Sequence, residues 1–162
     1  MLEVNTYSPY DVQCTLGGYS LAGWEEVSVS RSVQGFRSIR GIRGKNTRVR
    51  NVDSSATISI SLIQTSPSND VLSTIHTMDM QRGTGRLAIT LKDKSGRSLF
   101  HSDEAYITGF PESVFTNGIE TRIWTIFCQT TSSFSVGGNT KPDTPLVDSI
   151  VNGVKGVAGN IF

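Results

Sequence analysis

Three adjacent residues, His101, Ser102 and Asp103, are of the types that hydrolases use in nucleophilic catalysis. Successive side chains of a β-strand point to opposite faces, so Ser102 would point away from the other two. His101 and Asp103 could pair on one face, either as a catalytic dyad or as part of an exposed polar strand. We favour the polar strand, because an active site needs several convergent reactive groups and the sequence places none beside this pair.

The other residues that could carry chemistry are scattered. His76 falls in a predicted helix, where a packed or surface histidine is a simpler interpretation than a metal ligand. Cys14 and Cys128 are too few for a disulfide framework and, with the histidines, show no zinc-ligand spacing. The pairs Gly17-Gly18 and Gly137-Gly138 are predicted turns, since neither joins a strand to a helix as a phosphate loop would. The sequence therefore predicts a protein that is not an enzyme and has no catalytic residue, metal or cofactor.

Charge is distributed unevenly along the chain. Residues 31–52 hold seven of the 15 basic residues and no acidic one, whereas residues 1–30 hold four acidic residues and no basic one. The net charge is only +1, and a nucleic-acid-binding protein more often has an overall basic excess. This pattern favours contacts between subunits or rings, with Asp11 and Asp53 as further acidic partners. The main predicted contact residues are Arg37, Arg40, Arg43, Lys45, Arg48, Arg50, Glu25 and Glu26.

The elements that would position these residues are mainly strands. Alternating apolar and polar residues predict strands within 9–16, 27–33, 54–64, 86–93, 97–108 and 119–130. A change to helical spacing follows residue 64, with Ser66 as N-cap and Pro67 as first helical residue. The apolar face of this helix is predicted to carry Val71, Leu72, Ile75 and Met78. The basic run has little periodicity and three glycines, which indicates a long loop or an irregular hairpin tip.

The C-terminal residues differ in composition from the rest. Residues 132–162 are rich in Gly, Ser, Asn and Pro, so we divide the chain into a β-domain, 1–131, and a C-terminal extension, 132–162. Thr144-Pro145 could begin a short helix with one apolar side. We expect this side to dock on a neighbouring subunit, with a disordered tail as the alternative. The docking residues would be Leu146, Val147, Ile150, Val151 and Val154.

Neither a membrane span nor a secretory signal is expected. No apolar run approaches the ~20 residues that a membrane-crossing helix needs. The N-terminus lacks the basic flank and apolar stretch of a signal peptide. We therefore expect a soluble protein that is made in a cytoplasm.

The order of these motifs resembles the tail-tube proteins of contractile-tailed bacteriophages. The most specific match is "SATISISLIQTSPSNDVLSTI" at 55–75, where an alternating strand runs directly into an amphipathic helix. The resemblance covers roughly residues 5–131 and does not clearly include the C-terminal extension. The other matching stretches are "YSPYDVQCTLGG", "WEEVSVS", "KNTRVRN", "GRLAITLKDKSGRSLFHSDEAYITGFP" and "IETRIWTIFCQ".

The resemblance implies a mainly β fold, in which two packed antiparallel sheets form a sandwich or barrel flanked by one α-helix, with a C-terminal arm. It also implies hexameric rings that stack into a hollow tube inside a contractile sheath. The implied partners are other copies of the chain and the tail sheath, baseplate hub and tail terminator proteins. Double-stranded DNA would pass through the lumen without specific binding. The protein would assemble in the host cytoplasm and reside in the phage tail.

Two alternatives remain open. One is an inner-tube protein of a secretion system with a related fold. The other is a basic nucleic-acid-binding β-domain, which would need aromatic residues interleaved with the basic ones for base stacking. Phe36 is the only aromatic residue in 31–52, which argues against the second alternative.

Overall fold

A computed structural model describes residues 4–138. They form ten strands, one α-helix and a short 3-10 turn at Pro9–Asp11. The helix, α1, spans Ser68–Arg82. The strands are β1 (Val12–Leu16), β2 (Tyr19–Ser20), β3 (Trp24–Arg31), β4 (Phe36–Arg40), β5 (Asn46–Arg50), β6 (Ala56–Ile63), β7 (Leu87–Asp93), β8 (Leu99–Ile107), β9 (Thr121–Cys128) and β10 (Ser133–Ser135).

The predicted fold class is confirmed: the described chain is mainly β, with two antiparallel sheets and a single helix. The strands are divided unequally. The large sheet has the order β2-β1-β7-β8-β9-β6-β3, and β10 adds to it by pairing with the start of β8. The second sheet is the β4–β5 hairpin. Because β10 follows residue 131, it extends the large sheet beyond the predicted domain boundary; the division into domain and extension stays a prediction.

The core lies on one face of the large sheet. Strand β6 alternates strictly between buried and half-buried residues, and its buried residues pair in register with those of β9, as Ile60 does with Trp124. Full burial of each such side chain contributes about 1.5–3 kcal/mol. Val27 and Val29 of β3 line one cavity of about 280 Å³ together with Leu91 of β7 and Phe100 of β8. The sheet therefore curls, so that its edge strand β3 faces β7 and β8.

Helix α1 begins close to its predicted start and ends at a glycine. The Ser66 Oγ accepts a hydrogen bond from the Ser68 backbone N–H at 3.2 Å, so Ser66 supplies the cap although Pro67 directly precedes the helix. Gly83 ends α1 with φ +67°, and its N–H donates to the Asp79 carbonyl at 2.7 Å. The Asn69 amide, in the first turn, accepts a hydrogen bond from the Trp124 indole at 3.0 Å and thereby fastens the helix to β9.

Two details of the predicted apolar faces are wrong. Met78 is exposed and His76 is buried in its place, edge-on against the Phe110 ring at a centroid distance of 4.7 Å. The loop after β8 brings Phe110 over that side of α1, which the helical spacing alone does not reveal. The alternation predicted for the first strand included Tyr10, but Pro9 starts a 3-10 turn that leaves Tyr10 exposed, and β1 begins only at Val12.

Candidate assembly surfaces

The basic run forms a regular two-stranded ribbon, β4–β5, with residues 41–45 at its tip. At the base, the Asn51 N–H donates to the Gly35 carbonyl at 2.7 Å; at the tip, the Gly41 N–H donates to the Lys45 carbonyl at 2.8 Å. Gly44 closes the tip with φ +84°, a conformation that favours glycine. The run is thus more ordered than the predicted loop or irregular hairpin tip. Its periodicity is weak because neither face of the ribbon is buried in the subunit.

The register of the ribbon separates its side chains onto two faces. The Arg48 guanidinium lies 4.3 Å from the centroid of the Phe36 ring on the same face, so the ribbon's aromatic residue already has a cationic partner. Every strand residue of the ribbon is exposed except Val49, which is half-buried. One face carries Phe36, Ser38, Arg40, Asn46, Arg48 and Arg50, and the other carries Arg37, Ile39, Thr47 and Val49.

The six basic residues of the ribbon find no acidic partner within residues 4–138, since no salt bridge there involves any of them. The predicted acidic partners lie elsewhere. Glu25 and Glu26 are exposed on β3, and Glu25 Oε2 accepts a hydrogen bond from Thr121 Oγ1 at 3.0 Å. The subunit therefore displays its basic and acidic groups separately, and their contact between subunits stays a prediction.

Asp53 and Asp11 do not contact the ribbon's basic side chains either. Asp53 Oδ1 accepts the Ser55 N–H at 2.9 Å. Hydrogen bonds from Ser55, with a smaller contribution from the Arg31 charge, hold the pKa of this carboxyl below its ordinary value. Asp53 is therefore ionised at neutral pH and fixes the chain just after the ribbon. Asp11 lies in the 3-10 turn before β1.

Strand β3 leaves one edge of the large sheet unpaired within the described chain. It is eight residues long and pairs only with β6. An edge of this length presents backbone N–H and C=O groups that can extend the sheet into another chain. At the other end of the sheet, β2 has only two residues, so the two edges differ greatly in length.

The outer face of β3, β6 and β9 is rich in hydroxyl groups. Cross-strand partners align Ser28 with Ser59 and Thr125, and they align Ser30 with Thr57 and Phe127. The third row is Glu26, Ser61 and Ile123. Six of these nine positions are Ser or Thr and none is basic, so this surface differs in charge from the ribbon.

His101 and Asp103 do pair, which both of the interpretations drawn from the sequence allowed. His101 Nε2 lies 2.8 Å from Asp103 Oδ1, and His101 Nδ1 lies 2.7 Å from Oγ1 of Thr90 on the neighbouring strand. Ser102 points inward and donates to the Thr130 carbonyl. Asp103 is largely exposed, with 72% of its side chain accessible, so the row lies on an open sheet face. This geometry fits an exposed polar strand.

Both cysteines are buried thiols. Burial raises the pKa of Cys14 to about 12 and that of Cys128 to about 11. Because the thiolate is the reactive form, neither residue is suited to act as a nucleophile at neutral pH. Within residues 4–138, no cluster of three His, Cys, Asp or Glu side chains is arranged to hold a metal ion. No helix in that part of the chain has the length and apolar character to cross a membrane.

Comparison with known proteins links this chain to a phage. No protein-family model matches the chain. The structural protein ORF10 of Pseudomonas phage KPP10 is 38% identical to it over 159 residues, covering 91% of each chain. The chain belongs to the family of this phage structural protein. It is thus a phage structural protein.

Solved structures with a similar fold include chains of a contractile injection system. A chain of the PVC sheath/tube terminator is 15% identical, with a TM-score of 0.57, covering 78% of the phage structural protein and 94% of that chain. The tube-terminating cap of the anti-feeding prophage is 14% identical, with a TM-score of 0.57 and coverages of 83% and 95%. A chain of the PVC sheath-tube complex is 14% identical, with a TM-score of 0.53 and coverages of 78% and 89%. At these identities the likeness establishes the fold.

Sequence reasoning did not single out Arg122, a charged residue in the interior of the phage structural protein. It lies on the buried face of β9, two residues before Trp124, and only 7% of it is exposed. A signal was present, since Arg122 has the same strand parity as the buried Trp124 and Ile126. The predicted docking residues Leu146, Val147, Ile150, Val151 and Val154 lie outside the described residues.

Proposed function

We propose that this phage structural protein is a tail-tube subunit, six copies of which close a ring, and that the rings stack into a hollow tube inside a contractile sheath. The observation that supports this proposal most is the exposed basic ribbon. An isolated two-stranded hairpin is only marginally stable in water, so an exposed one needs a partner outside its own domain. Stacked rings would supply that partner to every copy.

The partner of the ribbon is another subunit rather than DNA. If its six basic residues lined the lumen, six copies would present about 36 positive charges in every ring, against DNA with one negative charge per ~1.7 Å of axis. Such a lumen would retain its cargo instead of conducting it. Phe36 is the only aromatic residue of the ribbon, and Arg48 already lies over one face of its ring. We therefore place the ribbon against acidic residues of neighbouring copies, such as Glu25 or Glu26.

The hydroxyl-rich outer face of β3, β6 and β9 is the better candidate for the lumen wall. Ser and Thr side chains are small and uncharged, and the two cross-strand rows that contain Ser28 and Ser30 hold no charged residue. Such a surface attracts phosphates weakly, as passage of DNA demands. The unpaired edge of β3 would join the sheet of the next copy around the ring, which removes the exposed edge.

Purified protein tests the proposal. At micromolar concentration and low salt we expect rings and tubes in negative-stain micrographs, without added nucleic acid. Exposed ion pairs contribute only ~0.2–1 kcal/mol each and are weakened by salt, so 1 M NaCl should shorten or dissolve the tubes. A protein that stays monomeric at every concentration and salt would contradict the proposal. Assembly only in the presence of DNA would favour the nucleic-acid-binding alternative.

A tube terminator is the second candidate function, because two of the similar folds belong to a terminator and a tube-terminating cap. A terminator closes the end of a tube, so its rings should form without stacking on each other. Micrographs separate the two candidates: long tubes favour the tube subunit, and single rings that persist at high concentration favour the terminator. Neither role requires catalysis, so we propose that the protein is not an enzyme.

The C-terminal extension gives a further prediction. Burial of its apolar residues would stabilise the assembly by about 25 cal/mol per Å² of apolar surface removed from water. We propose that these residues dock on a neighbouring subunit. Because β10 belongs to the sheet, the informative deletion starts after it, at residue 139. We expect the 1–138 variant to keep its circular dichroism spectrum but to pellet poorly in sedimentation assays. Equally stable tubes from this variant would show that the extension is dispensable.

A further inference from the structure

The interior guanidinium of Arg122 is only partly satisfied. Nη2 donates to the Val114 carbonyl at 3.1 Å, whereas buried Nη1 has no hydrogen-bond partner among residues 4–138. No carboxylate in that part of the chain forms a salt bridge with it. A buried charge without a counter-ion is costly, and arginine meets carboxylates with paired hydrogen bonds. The isolated subunit therefore lacks the group that Arg122 is suited to bind.

Arg122 lines a cavity of about 420 Å³ between β9, the start of α1 and the loop 108–120. Two of the polar residues that line this cavity already have partners. Gln64 Oε1 accepts the Glu120 N–H at 3.1 Å, and Asn69 donates to three backbone carbonyls and accepts from Trp124. Arg122 is the only charged side chain among the residues that line the cavity, so it is the group there that is suited to bind an anion.

The rim of the cavity exposes several apolar side chains. Phe110, Val114, Phe115 and Ile119 of the loop 108–120 all expose a substantial part of their side chains. Phe115 lies over the guanidinium, with its ring centroid 5.1 Å from Cζ, and is 77% exposed. Its ring can turn away at little cost, because it loses little buried contact. An apolar rim around a buried arginine is typical of a protein-binding surface, and it suits neither a phosphate backbone nor a free small anion.

We propose that the Arg122 cavity receives a carboxylate side chain from an adjacent copy of this chain, with Phe115 moving aside to admit it. A second copy fits because the assembly proposed above brings copies together, and this inference rests on that proposal. Glu104 on β8 is one exposed carboxylate without a side-chain partner in residues 4–138 that could enter the cavity of a neighbour. The contact is separate from the ribbon, so the two surfaces can be tested independently.

Replacement of Arg122 by methionine tests the inference through two opposite effects. In the isolated subunit, Arg122→Met removes an uncompensated buried charge, so the thermal midpoint of unfolding should stay equal or rise. In assembly, the same variant leaves the incoming carboxylate buried and unpaired. The critical concentration for tube formation, measured by sedimentation, should therefore rise at least about thirtyfold, as expected when a buried charge loses its partner. The matched control is Arg86→Met, which replaces an exposed arginine outside the ribbon. It should change the critical concentration by less than about twofold.

The outcomes distinguish this inference from the proposed function. Normal tubes from Arg122→Met would overturn the carboxylate contact and leave the tail-tube proposal standing. A lower thermal midpoint together with weaker assembly would also overturn it, because Arg122 would then be a residue that stabilises its own subunit. A wild-type protein that remains monomeric would overturn both proposals.

Discussion

Reversing two charges of the ribbon, with Arg43→Glu and Arg48→Glu in one chain, should abolish tube formation while leaving the subunit folded. The change replaces attraction to neighbouring carboxylates by repulsion, and it removes the Arg48 contact with Phe36. Each exposed pair contributes only ~0.2–1 kcal/mol, but ring symmetry repeats the loss in every copy. We expect no pelleted tubes at concentrations where wild type assembles fully, with the thermal midpoint changed by less than about 2 °C, since exposed substitutions cost little.

The control for this prediction is Arg86→Glu with Lys94→Glu, which changes the net charge equally. Both residues are exposed and lie outside the ribbon. This variant should assemble nearly as wild type does. If both double variants fail alike, net charge rather than the ribbon governs assembly. A structure of the tube with the ribbon's guanidinium groups in the lumen, away from protein carboxylates, would also contradict the proposed contact.

Trp124→Ala should destabilise the fold more than any surface change considered above. The indole is 2% exposed, lies opposite Ile60 across β6 and β9, and donates to Asn69 at the start of α1. Loss of a buried tryptophan costs about 3–5 kcal/mol, a large part of the 5–15 kcal/mol that stabilises a typical domain. Urea unfolding followed by circular dichroism should show the midpoint fall accordingly.

Ile123→Ala is the matched control, because the neighbouring residue on β9 points to the opposite face and is 56% exposed. Its effect on the free energy of unfolding should be below about 1 kcal/mol. Since Ile123 lies on the outer face, any larger effect should appear in assembly instead. Similar losses of stability in the two variants would show that the core is not on the face described here.

Strands and helices with one buried and one exposed face were predictable from the sequence, because burial of one face imposes a periodic pattern of apolar and polar residues. For this reason the prediction placed both ends of strand β6 within two residues and the start of helix α1 within one residue. The exposure of Met78 was not predictable from the sequence. It depends on Phe110, a loop residue far along the chain, which covers the side of α1 that carries His76. Helical spacing alone carries no information about that contact.

The ribbon and Arg122 show how far the candidate surfaces could be predicted from the sequence. A strand exposed on both faces has no apolar alternation, so β4 and β5 resembled a loop, although Gly41 and Gly44 marked the tip. Their charge was evident, but the exposure that suggests a partner required the structure. Arg122 had the strand parity of buried residues, yet parity could not show that its guanidinium lacks a partner. That observation depends on the positions of all surrounding atoms.

The two buried thiols bear on how long a particle survives outside a cell, where no glutathione pool reverses oxidation. With a pKa of about 11, a thiol near neutral pH is ionised in only about one molecule in ten thousand, and Cys14 is ionised less still. Thiol oxidation and exchange begin with the thiolate. Burial therefore disfavours cross-linking of either cysteine to a neighbouring copy, and it slows the oxidation of both thiols in air.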